Sequence, residues 1–213
     1  MISPKQSLSP VYAYLKRPSM IDFPGKLAAV MFATGCNFTC GFCHNATLMG
    51  KSKDGLPWEK LAKACDEFKE QWVDAVVISG GEPTLDPDGL AELIEFLKDR
   101  GFAVKLDTNG SRPDVVESIL PQIDYIAMDV KISLTKYKDF VGFGDTDKIV
   151  RSIKMILESD VRHEFRTTVI EGVHDEADIR EIAGLIQGAD RYVLQPFIPH
   201  EDLPDPKFRE TPR

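Results

Sequence analysis

The chain has 213 residues, of which 43% are hydrophobic and 28% are charged, and its net charge is −8. This composition is ordinary for a globular protein, the length fits one domain with a sizeable core, and no apolar run approaches the length of a membrane span. The acidic balance, without a Lys/Arg cluster outside helical faces, argues against a nucleic-acid surface. Because residues 1–10 also lack a signal-peptide core, we expect a cytoplasmic protein.

Apolar runs and segments with helical periodicity alternate along the chain. The apolar runs predict six strands, at 27–33, 75–79, 102–106, 125–130, 164–170 and 191–195. The helical spacing predicts five helices, at 56–72, 88–100, 112–120, 147–158 and 175–187. We also expect residues 11–15 to pair as a short edge strand. The whole chain, 1–213, is predicted to be a single domain, with an arm (1–18), a core (19–195) and a proline-rich tail (196–213).

Strands that alternate with helices form a parallel sheet with right-handed crossovers. An open doubly wound sheet and a partial barrel both fit this order, and in either one the site lies at the carboxyl ends of the strands. The unusual polar residues follow this rule, since they occur at or after the ends of the first four predicted strands and inside the fifth: 36–43, 79–83, 107–110, Asp129 with Lys131, and 166–168.

Three of the four cysteines, Cys36, Cys40 and Cys43, lie in one short loop with the spacing C-x3-C-x2-C. Thiolates are the usual ligands of iron–sulfur clusters, and a cubane cluster with full protein ligation takes four. This spacing lets three thiolates reach three irons and leaves the fourth iron without a protein ligand. The loop therefore predicts either a [4Fe–4S] cluster with an exchangeable ligand or a metal site completed from elsewhere.

Three other interpretations of this loop remain open. A disulfide with a spare thiol needs an oxidising compartment, which the lack of a signal peptide disfavours. A structural zinc site needs a fourth ligand, for which His44 and Cys65 are candidates, although Cys65 also fits the apolar stripe of the first helix. The string from Cys40 to His44 matches the C-x-x-C-H haem-attachment motif but leaves Cys36 without a role.

The cysteine spacing, with an aromatic residue before the third cysteine, resembles the signature of the radical S-adenosylmethionine (SAM) enzymes. The continuation Cys-His-Asn at 43–45 resembles the activating enzymes of glycyl radical enzymes. The segment Ser-Met-Ile-Asp-Phe-Pro-Gly at 19–25 is most similar to those that act on anaerobic ribonucleoside-triphosphate reductase. The resemblance runs from about residue 19 to residue 195, and it implies a partial (β/α)6 barrel of parallel strands.

The resemblance also implies roles in SAM binding for residues beyond the cysteines. Gly80, Gly81 and Glu82 of the Gly-Gly-Glu-Pro segment would bind the SAM amino group, although a plain tight turn is the alternative. The side chains of Asp129 and Lys131 point the same way from a strand end. The resemblance implies that this pair lies at the SAM site, although a simple ion pair is the alternative. The remaining predicted SAM contacts are Phe42 near adenine, Asp107 and Asn109 near the ribose and carboxylate, and Arg166; Asp107 with Asp129 is a candidate site for a monovalent cation.

The function implied by the resemblance is reductive cleavage of SAM, followed by removal of a hydrogen atom from a glycine of a partner glycyl radical enzyme. Four cysteines cannot supply a second cluster, so we expect an external reductant of the flavodoxin or ferredoxin type. We expect the partner to dock on the cysteine loop, residues 131–144 and the tail. The alternatives are a radical SAM enzyme that acts on a small molecule, as the deazapurine-forming enzymes do, and a non-catalytic zinc or redox module.

Overall fold

A computed structural model describes residues 8–50 and 54–210 of the chain. Its centre is a seven-stranded sheet in sequential order, in which β1 is antiparallel to β2 and all other neighbours are parallel. Within the described residues β1 and β7 are the two edges and do not pair with each other, which confirms the predicted partial barrel. The strands are β1 (Val11–Tyr14), β2 (Ala28–Ala33), β3 (Ala75–Gly80), β4 (Ala103–Thr108), β5 (Tyr125–Asp129), β6 (Arg162–Val169) and β7 (Tyr192–Pro196).

Six α-helices connect these strands, and the five predicted ones begin and end within two residues of their expected positions. They are α1 (Trp58–Glu70), α2 (Pro87–Asp99), α3 (Pro113–Ile119), α4 (Tyr137–Val141), α5 (Thr146–Leu157) and α6 (Glu176–Leu185). Helix α4 was not predicted as a helix because it has only five residues, and it ends at Gly142, whose φ is 74°. No helix in the described part of the chain is long and apolar enough to cross a membrane.

The two faces of the sheet bury different kinds of side chain. The convex face carries alternate strand residues such as Met31, Ile78 and Leu106, which are buried in the main core together with helix residues such as Leu61 and Leu93. Since side chains alternate along a strand, the other residues point into the concave face. That face has a small apolar cluster at the amino ends of the strands and charged residues above it.

The segment 19–25, part of the resemblance noted above, closes the amino-terminal end of the barrel. The Ser19 hydroxyl accepts hydrogen bonds from the Ile21 and Asp22 amides, which tightens the turn. This turn places Phe23, 2% exposed, against Tyr125 with 5.5 Å between ring centroids. The Lys105 ammonium donates to the Asp22 carbonyl from above. The bottom of the barrel is therefore sealed, and the open end is the carboxyl end of the strands.

Candidate active site

A cavity of about 280 Å³ lies at the carboxyl ends of the strands, as the fold class requires. It contains every predicted site residue: Cys36, Cys40, Phe42, Cys43, Gly80, Gly81, Glu82, Asp107, Asn109, Asp129, Lys131 and Arg166. Sequence reasoning placed Thr168 among the polar residues at this end of the sheet without giving it a role of its own, and it gave no role to Gln195, which also lines the cavity. Strand alternation explains why Thr168 lines the cavity, because it lies two residues beyond Arg166 on the same face.

The cysteine loop, residues 35–45, follows β2 and is held by direct backbone contact with the loop after β3. The Glu82 amide donates to the Gly35 carbonyl at 2.7 Å, and the Gly35 amide donates to the Leu48 carbonyl at 2.8 Å. A Cβ on Gly81 would lie only 2.0 Å from the Gly35 carbonyl oxygen. Gly80 has a φ of 119°, a backbone conformation that L side chains rarely adopt. The two glycines of the Gly-Gly-Glu-Pro segment are thus required for this close approach of two loops.

All four cysteines are free thiols, which removes the disulfide interpretation. Burial raises the pKa of Cys36 to about 11 and that of Cys40 to about 12, and it also raises the pKa of Cys43. Iron would counter this effect, because a coordinating thiol is deprotonated by the charge of the metal. A set of three free thiols, one buried and two half-buried, at one end of a cavity fits the donor chemistry of a [4Fe–4S] cluster.

The two candidate fourth ligands for zinc are engaged elsewhere. Cys65 is 1% exposed in α1 and packs in the main core. The His44 Nε2 atom lies 2.7 Å from the Ile198 carbonyl, and the ring stacks on Phe197 at 5.6 Å. Among the described residues, no group of three or more His, Cys, Asp or Glu side chains is arranged to hold a single metal ion. Because His44 and Cys65 have these other contacts, neither completes a four-ligand zinc site with the three cysteines, and the donor set fits an iron–sulfur cluster better.

The Glu82 carboxylate lies in the wall of the cavity and is 1% exposed. Its Oε1 atom accepts from the Thr84 amide at 3.1 Å, the Thr84 hydroxyl and the Thr108 hydroxyl at 2.7 Å. Its Oε2 atom accepts from the Asn109 amide at 2.6 Å. Burial raises the pKa of Glu82, and these hydrogen bonds oppose the rise. Because four donors of its own chain already surround it, Glu82 links the loops after β3 and β4, and contact with the SAM amine stays a prediction.

Charged residues of β4, β5 and β6 alternate in sign across the concave face. Arg166 bridges two carboxylates, with Nε 2.8 Å from Asp129 Oδ1 and Nη1 3.3 Å from Asp107 Oδ2. Lys131 Nζ lies 2.8 Å from Asp129 Oδ2. Burial opposes ionisation of Asp129, yet Arg166 and Lys131 hold its pKa well below the ordinary range. The guanidinium lies between the two carboxylates predicted to share a monovalent cation, and such a cation site stays a prediction.

Lys105 adds a lower layer to this network, and sequence reasoning assigned it no role. The residue is 1% exposed, and its ammonium nitrogen lies 3.3 Å from both Asp107 Oδ1 and Glu164 Oε1. The sequence did contain a sign of this role: a single lysine lies in an otherwise apolar strand, and a buried charge requires a partner. Arg191 Nη1 also lies 3.7 Å from Glu164 Oε2, so each of the three carboxylates in this network has at least one cationic partner.

The Phe42 ring packs in an aromatic group formed with the tail and α4. It is stacked on Phe140 with centroids 4.8 Å apart, and its ring meets Phe197 and Phe208 edge-on at 6.5 and 5.9 Å. The tail also contacts the cysteine loop directly, because the Asp205 amide donates to the Gly41 carbonyl at 3.0 Å. Phe42 therefore anchors the tail, and its predicted contact with adenine is untested.

Residues 131–144, predicted to form a docking surface, serve in part as a wall behind the cysteine loop. Tyr137 and Val141 are fully buried, and the Val141 carbonyl accepts from the Thr39 amide at 2.8 Å. Exposed positions in this segment are polar or glycine: Thr135, Lys136, Lys138, Asp139, Gly142 and Gly144. The aromatic residues that suggested a protein contact mostly point inward.

Comparison with known proteins agrees with this geometry. Residues 30–186 match the model of the Radical SAM superfamily, so the chain belongs to this superfamily, whose cofactors are a [4Fe–4S] cluster and SAM. Over 201 residues, it is 41% identical to a Methanocaldococcus jannaschii protein named "Putative glycyl-radical enzyme activating enzyme", covering 91% of this chain and 82% of that one. The pyruvate formate-lyase-activating enzyme of Clostridium pasteurianum is 27% identical, with 90% and 82% covered.

Among solved structures, Streptococcus suis SuiB bound to SAM has the same fold, with a TM-score of 0.61 and 19% identity. The match covers 83% of this chain and 44% of SuiB, so the chain spans less than half of that protein. The match to the superfamily model and the 41% identical relative show that the chain is a radical SAM enzyme of the glycyl-radical-enzyme activating family.

Proposed function

We propose that this protein activates a glycyl radical enzyme, and that its partner is anaerobic ribonucleoside-triphosphate reductase. The observation that carries the proposal is the meeting of three free cysteines and the polar ends of four parallel strands in one cavity. When bound there, the [4Fe–4S] cluster supplies one electron to the sulfonium of SAM, which gives methionine and a 5′-deoxyadenosyl radical that takes a hydrogen atom from glycine. The choice of partner is supported by the segment 19–25 alone.

Different residues of the cavity would bind the cluster and SAM. Cys36, Cys40 and Cys43 would each bind one iron and leave the fourth free for the amine and carboxylate of SAM. Lys131 and Arg166 line the cavity, and both already pair with Asp129. A SAM carboxylate would join this charge network without a change in the fold. Charge-assisted hydrogen bonds of this kind are the strong ones in proteins.

Access for a protein segment is supported by the open edge of the sheet at β7. Gln195 of β7 lines the cavity, and Leu194, Gln195 and Pro196 are exposed. Since no described element covers the outer edge of β7, an extended segment of the partner could approach the cavity from this side. A glycine suits this approach because it has no side chain to keep it from the SAM 5′ carbon. An external one-electron carrier, of the flavodoxin or ferredoxin type, would reduce the cluster.

A radical SAM enzyme acting on a small molecule is the second candidate. It is favoured by a 26% identity over 90% of this chain to the 7-carboxy-7-deazaguanine synthase of Methanopyrus kandleri. The same open edge argues against it, because a free metabolite needs enclosure from solvent during radical chemistry.

The deciding experiment mixes the reduced, reconstituted protein with SAM and anaerobic ribonucleotide reductase from the same organism, and records the EPR spectrum. We expect a glycyl-radical doublet that is lost when the reductase glycine is replaced by alanine. Formation of 5′-deoxyadenosine without a doublet, together with activation of another glycyl radical enzyme or turnover of a deazapurine precursor, would show that the partner is wrong. Failure to take up iron and sulfide would refute the radical SAM chemistry itself.

A further inference from the structure

Asn109 lies between the first cysteine of the loop and a second asparagine, Asn37. Its Nδ2 atom is 3.0 Å from Asn37 Oδ1 and 3.9 Å from Cys36 Sγ. An amide nitrogen carries two hydrogens, so one can serve each of these acceptors. The Phe38 amide donates to the same sulfur at 3.4 Å. Cys36 Sγ therefore has two N–H donors, one from the backbone of its own loop and one from a side chain of the loop after β4.

The surrounding hydrogen bonds fix which way the Asn109 amide points. Its Oδ1 atom accepts from the Ser111 amide at 2.9 Å, so the NH2 group must face Asn37 and Cys36. Asn37 is oriented in turn, because its Nδ2 donates to the Ser111 hydroxyl at 2.8 Å. A rotated Asn109 side chain would place its NH2 against the Ser111 N–H and its oxygen against the sulfur, and both contacts are unfavourable.

The backbone of Asn109 is equally constrained. Its amide donates to the buried Glu82 carboxylate at 2.6 Å, and Asn109 itself is 6% exposed. Glu82 also holds Thr108, the residue before Asn109, through the threonine hydroxyl. The side chain that reaches Cys36 is thus positioned by Glu82 and lacks room to move away.

We propose that Asn109 donates a hydrogen bond to the Cys36 thiolate of the bound cluster and thereby raises the reduction potential of that cluster. The inference rests on the proposed function, since it needs the cluster to be held by Cys36. Donors to the sulfurs are among the features by which a protein sets the potential of an iron–sulfur cluster. The reduced cluster carries one more negative charge than the oxidised one, so an N–H directed at its ligand stabilises the reduced form more. Glu82 acts as a positioning residue for this donor.

The test is a redox titration of the reconstituted protein without SAM, followed by EPR and visible absorbance. Asn109→Leu removes the N–H donor and keeps a side chain of similar size. Ser111→Ala is the matched control, since it removes the hydrogen bond from Asn37 but leaves the Asn109 donor to Cys36 in place. The hydrogen bond is present in both redox states, so only the difference in its strength changes the equilibrium, and we take this difference as no more than one neutral hydrogen bond, about tenfold. We expect Asn109→Leu to lower the ratio of reduced to oxidised cluster at fixed potential by up to about tenfold, equivalent to about 59 mV for a one-electron couple. Ser111→Ala should stay within about twofold.

Iron and sulfide content separates this inference from the proposed function. If the wild-type protein takes up no iron, the proposed function fails. If Asn109→Leu takes up iron normally and titrates like wild type, the proposed function stands and the inference is wrong. Should the leucine variant bind no iron, Asn109→Ser, which keeps the backbone bond to Glu82, is titrated instead. Loss of iron in both variants, with normal uptake in Ser111→Ala, would overturn the inference by showing that Asn109 builds the site rather than tunes it.

Discussion

Replacing Glu82 by alanine tests whether this carboxylate organises the protein or binds a ligand. The substitution leaves four donors without an acceptor, of which the two hydroxyls can rotate to other partners. The backbone amides of Thr84 and Asn109 cannot do so. A buried donor without a partner costs about 1–3 kcal/mol, so we expect the free energy of unfolding to fall by roughly 2–6 kcal/mol. This loss is a large fraction of the total stability of a domain, about 5–15 kcal/mol.

The assay is urea unfolding of the protein without cluster or SAM, followed by circular dichroism. Glu95→Ala, at an exposed position of α2, is the control and should change stability by no more than about 0.5 kcal/mol. A Glu82→Ala protein as stable as wild type that assembles its cluster but no longer binds SAM would refute the reasoning. In that case the carboxylate would be directed at the ligand, as the sequence resemblance implies.

Three further predictions concern the metal, the substrate and acid stability. Cys40→Ala should abolish the broad visible absorbance of a reconstituted protein that otherwise binds about four irons, and Cys65→Ala should retain it; iron analysis checks both. Arg166→Ala should keep the cluster but weaken SAM binding by about 1.5–3 kcal/mol, measured by titration calorimetry, because it removes a charge-assisted contact. Burial opposes the charge on Asp178, but Lys136 and Ser133 outweigh it and lower its pKa to about 2. Its contribution, about 1 kcal/mol after screening of the half-exposed Lys136 by solvent, is therefore present above about pH 4 and lost as the pH falls toward 2. In acid unfolding, the Asp178→Asn protein should lose less stability than wild type over that interval.

The fold and the place of the site could be predicted because both depend on local patterns. Strands such as 27–33 and 75–79 are continuous apolar runs, as expected when both faces of a parallel strand are buried. The carboxyl ends of parallel strands meet at one edge, so residues as far apart in sequence as Cys36 and Arg166 were placed together without any knowledge of contacts. The same rule cannot say which way an individual carboxylate turns.

What the sequence did not predict depends on contacts between distant segments. Two of the four donors to Glu82 belong to Thr108 and Asn109, 26 and 27 residues further along the chain, and nothing in Gly-Gly-Glu-Pro indicates that they reach its carboxylate. The tail has prolines and no periodicity, so its packing on the cysteine loop left no pattern to detect. Lys105 is different, since a charge within an apolar strand did indicate a buried partner and could have led to Glu164.

The position of the tail limits how a partner can reach the cavity. A Cβ on Gly41 would lie 2.8 Å from the Cβ of Asp205 and 2.9 Å from Phe208, so a glycine between Cys40 and Cys43 makes room for the tail. Phe208, 4% exposed, is buried there together with Leu203. Because the tail covers the cysteine loop on this side, a substrate could enter here only by displacing two buried apolar side chains. The exposed edge of β7 requires no such displacement, so the tail leaves open the approach past Gln195 that we propose for a glycine of the partner.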